Sequence, residues 1–509
     1  MRNLSEKLTA VLRGVENPAR YTGGEFGLIR KEEAALRCAV CFPDLYEIGM
    51  SNQAIAILYG MLNGIENISC ERVFCPAEDF ENELKKAGIL LYGLETGRPL
   101  SSFDIVAFTV GYELTAANIL TMLDRGGVPL RAGHRSGADP IVIAGGPAIT
   151  NPLPFAAIFD AVYIGDAEAE FRGIAEDLAA MKKKGASRQD LLERIRDSAS
   201  FWYAGRANPA RRSVWMSFPC SASYAVAGPV PSLRTVQDRG VIEIMRGCPH
   251  ECRFCHASVY YKPFRMKKRE KIYEEVYNLI HKCGYREITL SSLSSGDYAG
   301  IARLVNNLNC LHGKERVSFS LPSLHLESLG LQVLSEISAV RRSGLTFAVE
   351  TPRPEFQMSL NKEASREKIL AILREAKQQG WKLAKFYFMT GLPFYEDRGE
   401  EAQDIIDFVR SVYAETRISL NINIGTFIPK PHTPYQRAAQ LDENQSRESA
   451  RRIKNGLTSG AIKVGYHAPF QSYLEGVFSR GDERVGELLF EAWGSGARFD
   501  AWEDRSHPE

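Results

Sequence analysis

One rhythm runs twice along the chain and constrains the fold more than any other feature: short apolar segments of strand length alternate with amphipathic segments at helical spacing. In the first run LRCAVC (36–41), DIVAFTV (104–110), PIVIAGGP (140–147) and AVYIGD (161–166) read as buried strands. Between them, Ile55, Ile57, Leu58 and Leu62 mark a helix over 52–62, and a second helix over 114–123 stops at Gly126-Gly127. Strands that alternate with helices pair in parallel, so this run predicts a doubly wound, Rossmann-like α/β sheet. Ligands of such sheets sit at the carboxyl ends of the strands, where residues 43–51, 111–114 (with Tyr112 and Glu113), 145–152 and 165–170 fall.

A stretch carrying Pro209, Pro219, Pro229 and Pro231 interrupts the rhythm and reads as an extended connector. Six strands follow: VIEIM (241–245), EITLSS (287–292), VSFSL (317–321), LTFAVE (345–350), LAKFYFMT (383–390) and ISLNINIGTF (418–427). The helices between them include one with Ile272, Val276 and Leu279 before Gly284 and one with Ile369, Ile372 and Leu373 before Gly380. Six βα units predict a partial (β/α)6 TIM-like barrel with its function at the carboxyl ends of the strands. The division is then an N-terminal segment 1–35 with a short amphipathic stretch (Leu4, Leu8, Val11, Leu12), an α/β domain 36–204, a connector 205–235, a barrel 236–440 and a C-terminal extension 441–509 with a helix near 482–493.

Composition excludes several classes. Lys+Arg is 63 and Asp+Glu is 62, so a net charge of +1 gives no sign of a nucleic-acid-coating surface. The longest apolar runs fall short of a membrane span, and the charged N-terminal sequence lacks a signal-peptide core, so no membrane partner and a cytoplasmic location are expected. Ten cysteines in 509 residues are too few for a disulfide scaffold. Three of them carry the strongest chemical signal. In RGCPHECRFCH, Cys248, Cys252 and Cys255 have the spacing C-x3-C-x2-C directly after the first barrel strand. Three thiolates on a short loop can each hold one iron of a cubane cluster and leave the fourth iron open to an exogenous ligand. A structural zinc completed by His250 or His256 is the competing reading.

This motif, with Phe254 before its last cysteine and a six-unit βα run after it, resembles that of the radical S-adenosylmethionine (SAM) enzymes. The resemblance implies a [4Fe-4S] cluster whose open iron binds the amino and carboxylate groups of SAM, reductive cleavage to methionine and a 5′-deoxyadenosyl radical, and an electron donor such as a flavodoxin or ferredoxin. It also implies SAM contacts. Ser294, Gly296 and Asp297 in SSLSSGDY stand where the family holds the methionine amino group, although the usual Gly-Gly-Glu is missing. Glu350 stands at an acidic ribose-ligand position, followed by Thr351-Pro352 where the family more often has Ala-Gly. Gly391 and Pro393 in TGLP match a loop that packs on adenine, and FIPKPHTPYQ (427–436) looks like a segment that closes the site.

The order of α/β domain, connector and barrel is similar to the class with an N-terminal B12 (cobalamin)-binding-type domain. FPDLYEIGMSN, ERVFCPAEDFE, GGPAITNP, YKPFR and SRGDERVGELLFEAWGSGARFDAW resemble one bacterial branch of it. Cobalamin is thus a further implied cofactor. The Asp-x-His-x-x-Gly that supplies a lower axial histidine in some members is replaced here by FPDLYEIGM. Cobalamin-dependent methylation of a small-molecule or macromolecular substrate, cobalamin-free radical chemistry such as methylthiolation or rearrangement, and a non-catalytic iron–sulfur scaffold all remain open. Cys38, Cys41, Cys70, Cys75, Cys220, Cys283 and Cys310 read as packing, the basic run Lys262, Arg265, Lys267, Lys268 and Arg269 as a solvated helix start, and His432 as a turn residue.

Overall fold

A computed structural model describes residues 6–322 and 345–503. The chain divides into two compact units, one of residues 1–217, 222–238 and 481–509, the other of 218–221 and 239–480. Among the described residues no helix is long and apolar enough to cross a membrane.

The first unit is built on a six-stranded sheet. Its strands are β1 Leu36–Phe42, β2 Ile68–Phe74, β3 Ile105–Thr109, β4 Ile141–Gly145, β5 Ala161–Tyr163 and β6 Phe201–Trp202, in the order β2-β1-β3-β4-β5-β6. The first five are parallel and β6 closes the edge antiparallel. Strands β1, β3 and β4 are apolar on both faces because helices cover both. The sequence reading missed β2, and its burial shows why. Glu71 and Arg72 interrupt the apolar pattern of ISCERVF, yet both are buried, at 1% and 0% exposure. Arg72 is neutralised by Glu25 (2.9 Å) and Glu95 (2.7 Å), while the Glu71 carboxylate accepts from the Thr96 hydroxyl and amide.

This strand order places the switch point between β1 and β3, and the carboxyl ends of the strands at such a point are where open α/β sheets take their ligands. Asp44 lies just past β1, its carboxylate accepting hydrogen bonds from the Leu45 amide and the Trp502 indole N–H. Residues 481–503, expected as part of a separate extension, belong to this unit. Trp493 donates to Thr121 Oγ1, and the Phe499 amide donates to Asn118. Burial pushes the Asp44 carboxyl up to about 6. The folded state therefore holds this proton more tightly than the unfolded chain, where an Asp titrates near ~3.9. The stability Asp44 contributes is complete below about pH 4 and is lost as pH rises through about 6. In urea titrations between these values, Asp44→Asn is expected to flatten that decline; parallel wild-type and variant curves would overturn the assignment.

Among the described residues, the second unit holds seven parallel strands in two sheets. Strands β7 Gly240–Glu243, β10 Glu287–Ser291 and β11 Ser318–Ser320 form one sheet, in the order β11-β10-β7. The other runs β12-β13-β14-β15 through Leu345–Glu350, Leu383–Thr390, Ser419–Thr426 and Ile462–Tyr466. Two corrections follow. VIEIM is not one strand: β7 ends at Glu243, and Met245–Arg246 (β8) turns away to pair antiparallel with Arg265–Met266 (β9). The barrel also does not end at residue 440, because the helix Glu443–Gly456 and strand β15 add a further αβ unit. Lys463 and Gly465 in β15 had hidden it. The α/β class, a doubly wound domain followed by a parallel partial barrel, stands as the sequence implied.

Side chains in β13 and β14 alternate strictly. Ala384, Phe386, Phe388, Leu420, Ile422 and Ile424 point into the core under the helices Arg366–Gln378 and Arg398–Thr416. Lys385, Tyr387, Asn421 and Asn423 occupy the other face, which stays partly open. The basic run after the cysteines is not uniformly solvated. Lys267 is buried in an ion pair with Glu275 (2.7 Å), and Arg265 is 5% exposed.

Candidate metal centre

The three clustered cysteines sit on the loop between β8 and the helix His256–Tyr260, each half-buried and unpaired by disulfide. Gly247 enters this loop at φ +83°, and a Cβ there would lie 2.6 Å from the Tyr261 carbonyl oxygen, so only glycine makes the turn. The rest of the loop is pinned to the helix Pro354–Leu360 that follows β12. The Arg253 amide donates to Leu360 O (2.9 Å), and Asn361 Nδ2 donates to Glu251 O (3.0 Å). Inside the loop, Cys255 N donates to Cys252 O, and Ser258 Oγ donates to the carbonyls of Cys252 and Cys255. The thiols are thus positioned by backbone contacts that need no metal.

The donor set, three half-buried thiolates on one short loop, fits the irons of a cubane cluster. A tetrahedral zinc with ~2.3 Å bonds needs sulfurs only about 3.8 Å apart. Among the described residues, the one set of three or more His, Cys, Asp or Glu donor atoms lying within 4.8 Å of one another is His281, His312 and Glu315, elsewhere in the unit. Three thiolates on one short loop, Cys248, Cys252 and Cys255, are a set that can each hold one iron of a cubane cluster. His250, a proposed fourth zinc ligand, has Nε2 2.7 Å from Asp297 Oδ2. Burial holds the other, His256, down at about 4, so its ring is neutral, the form in which an imidazole can ligate a metal. Burial raises the Cys248 thiol and pushes that of Cys252 up to about 11, with nearby Lys362 opposing the shift at Cys252. Loading iron therefore expels protons.

The segments after β10, β12, β13 and β14 meet the cysteine loop. Asp297, one of the candidate SAM contacts after β10, holds both His250 and the hydroxyl of buried Ser294 (2.5 Å). Its carboxylate is thereby committed to fixing the cysteine loop, and Gly296 lies in the same short 3-10 turn, Ser295–Asp297. Glu350 ends β12 at φ +64°, where the register with β13 slips by one residue. Strain of this kind in a non-glycine residue persists only where its surroundings enforce it. Here Lys362 pairs with Glu350 at 2.5 Å and lies 5.6 Å from the centroid of the Phe254 ring. Phe254 and Tyr435 each pack against the cluster of Leu360, Leu392, Tyr395 and Phe427, so the segments after β12, β13 and β14 share one apolar cluster with the cysteine motif. The TGLP loop is shaped from below: the amides of Gly391 and Leu392 donate to the buried carboxylate of Glu401, and Pro393 follows them in the same loop. His432, at φ +64°, has its amide bonded to Gln436 Oε1 and is a turn residue, as expected.

Sequence reasoning missed Asp297 as a partner of His250, Lys362 as the counter-charge of Glu350, and Glu401. Asn361, in the left-handed conformation at φ +52°, marks a helix stop that a reader could have found ahead of Lys362. Nothing in the sequence singles out Glu401 from its neighbour Glu400. The four cysteines around β1 and β2 (Cys38, Cys41, Cys70 and Cys75) are fully buried, and burial drives their thiols well above the ordinary range, as packing residues require.

Residues 242–409 match the family described as "Radical SAM superfamily", and residues 54–204 match "Radical SAM proteins, N-terminal". An uncharacterized protein of Methanocaldococcus jannaschii is 23% identical over 452 residues, covering 89% of this chain and 90% of that protein. The tRNA-2-methylthio-N(6)-dimethylallyladenosine synthase of Carboxydothermus hydrogenoformans is 23% identical over 240 residues, 45% of this chain and 53% of its own length. Among solved structures, the radical S-adenosylmethionine methyltransferase TsrM of Kitasatospora setae, with cobalamin and a [4Fe-4S] cluster bound, is similar with a TM-score of 0.56 at 13% identity. That likeness covers 90% of this chain and 99% of TsrM, and it is a likeness of fold.

Proposed function

Because this chain belongs to the radical SAM superfamily, we propose that it is a cobalamin-dependent methyltransferase of that superfamily, with its [4Fe-4S] cluster on Cys248, Cys252 and Cys255. Such a cluster with SAM on its open iron supplies the electron that cleaves the sulfonium to methionine and a 5′-deoxyadenosyl radical. The chain's own residues do the holding. Asp297 orients the cysteine loop through His250, Glu350 offers an acceptor beside the cluster loop with Lys362 as its counter-charge, and the Gly391–Pro393 loop gives the adenine a flat surface. A flavodoxin or ferredoxin in the cytoplasm is the reductant in this reading.

The observation that carries the corrinoid assignment is the β2-β1-β3-β4-β5 order of the first unit, a flavodoxin-type switch point placed ahead of the barrel along the chain. TsrM, whose structure holds cobalamin, shares the fold over 99% of its length. No histidine follows β1, and His134 lies in a 3-10 turn before β4, at the opposite end of the sheet from the carboxyl ends of the strands.

The test is purification under anaerobic conditions with hydroxocobalamin, followed by corrinoid and iron analysis and detection of 5′-deoxyadenosine after adding SAM and a reductant. One corrinoid per chain is expected. Turnover of SAM with no retained corrinoid would overturn the methyltransferase reading in favour of cobalamin-free chemistry such as methylthiolation.

Gly391→Ala probes the adenine loop. At φ +86° any side chain is strained, and a Cβ would lie 2.7 Å from Leu441 Cγ. The expected result is a rise of about tenfold in KM for SAM, equivalent to ~1.4 kcal/mol of lost contact, with iron content unchanged. An unchanged KM would remove this loop from the site.

A further inference from the structure

We propose that His281, His312 and Glu315 form a second metal site, for a divalent first-row cation such as Zn2+, at the end of the second unit remote from the cysteines. His281 is the last residue of the helix Arg269–His281, and His312 is the last of Ile301–His312. Glu315 lies in the 3-10 turn Gly313–Glu315 that follows. In βα units the helices run back against the parallel strands. Both helix ends therefore lie at the amino edge of β7, β10 and β11, whereas Cys248 follows the carboxyl end of β7.

The donor atoms converge without satisfying one another. His281 Nε2 is 3.8 Å and His312 Nδ1 is 3.7 Å from the same oxygen, Glu315 Oε2, and all three donor atoms lie within 4.8 Å. These separations are too long for hydrogen bonds. They are close to the ~3.3–3.6 Å edges of a tetrahedron with metal–nitrogen and metal–oxygen bonds of ~2.0–2.2 Å. An independent observation points the same way: His312 Nδ1 is buried and has no hydrogen-bond partner. Buried polar atoms are nearly always paired, and a metal would supply the missing partner. Tyr277, with its ring 4.3 Å from that of His281, and Phe319, 6.3 Å from that of His312, flank the imidazoles.

Two imidazoles and one carboxylate select zinc and its neighbours in the first row over Mg2+ or Ca2+, which prefer all-oxygen sets. The fourth position falls to water. A bound ion would join the ends of two helices to the turn that leads into β11. The site is separate from the cysteine centre, so it stands or falls independently of the methyltransferase reading.

The experiment uses cluster-loaded protein, in which the three cysteines are already occupied. After equilibrium dialysis against micromolar Zn2+, elemental analysis is expected to give one zinc per chain with iron undiminished. His281→Gln, at an exposed position, and Glu315→Gln should each weaken zinc uptake by at least tenfold at unchanged iron content, and His312→Gln should do the same. Zinc should raise the melting temperature of the wild type but not of His281→Gln. Uptake by the variants equal to wild type, no zinc beyond the cluster site, or zinc gained only as iron is lost would each overturn the site.

Discussion

Alanine at any one of Cys248, Cys252 or Cys255 should abolish the visible charge-transfer absorbance of anaerobically reconstituted protein and reduce 5′-deoxyadenosine formation to background. A three-thiolate site has no reserve ligand. His250 is held by Asp297, and the remaining cysteines are either buried in the first unit or scattered singly. Loss of one ligand therefore removes the cluster and with it all SAM cleavage, a fall of several orders of magnitude on the scale of enzymatic rate enhancements. The fold should survive, because the loop is fastened through Arg253 to Leu360 and Asn361 to Glu251, contacts that involve no sulfur. Iron analysis, absorbance and product detection check the first part, and thermal denaturation the second. A single variant that kept its iron and still produced 5′-deoxyadenosine would sink the ligand assignment.

Arg72→Met should destabilise the protein by ~3–5 kcal/mol, because it leaves buried carboxylates without their cation. Arg72 is wholly buried. Its guanidinium donates to Glu95 through Nε and to both oxygens of Glu25, and its amide donates to Glu95 Oε2 (2.8 Å). Tyr46 adds a hydrogen bond to Glu25, so one arginine joins β2 to a segment that precedes the sheet. Burial already pushes the Glu95 carboxyl up to about 7 against the pull of Arg72. Once the arginine is gone, protonation is the remaining relief, so the loss should be larger at pH 8 than at pH 6. Urea denaturation at the two pH values measures this. Adding Glu25→Gln and Glu95→Gln to Arg72→Met should recover a large part of the stability, since the triple variant buries no net charge. A loss below about 1 kcal/mol for Arg72→Met would show that water reaches the triad.

The same residues explain what the sequence could and could not reveal. Strands β1, β3 and β4 were legible because helices on both faces demand uninterrupted apolar runs. Strand β2 was not, since its middle carries a charge pair whose partners lie 23 and 47 residues away. The metal ligands were legible because one loop supplies all three at fixed spacing. Their supports were not: Asp297 reaches His250 across 47 residues, and Asn361 reaches Glu251 across 110. Glu350 could be picked out by position, but its left-handed backbone and its pairing with Lys362 are products of tertiary packing. The stretch after residue 440 misled for a related reason. Its helices are charged on their outer faces, and nothing local says that one part completes the barrel while the next returns to the first unit.

That return bears on the order in which the protein can be made. Trp502 reaches Asp44 across 458 residues, and Phe499 reaches Asn118 across 381. Domains ordinarily fold as units while the ribosome is still at work, amino-terminal first. Here the sheet of the first unit emerges early, but the segment whose Trp502 bonds to Asp44 past β1 leaves the exit tunnel only after all of 239–480 has been synthesised. The bond from Trp502 to Asp44, beside the carboxyl end of β1, is thus among the last contacts of the first unit to form, after the whole barrel has been synthesised.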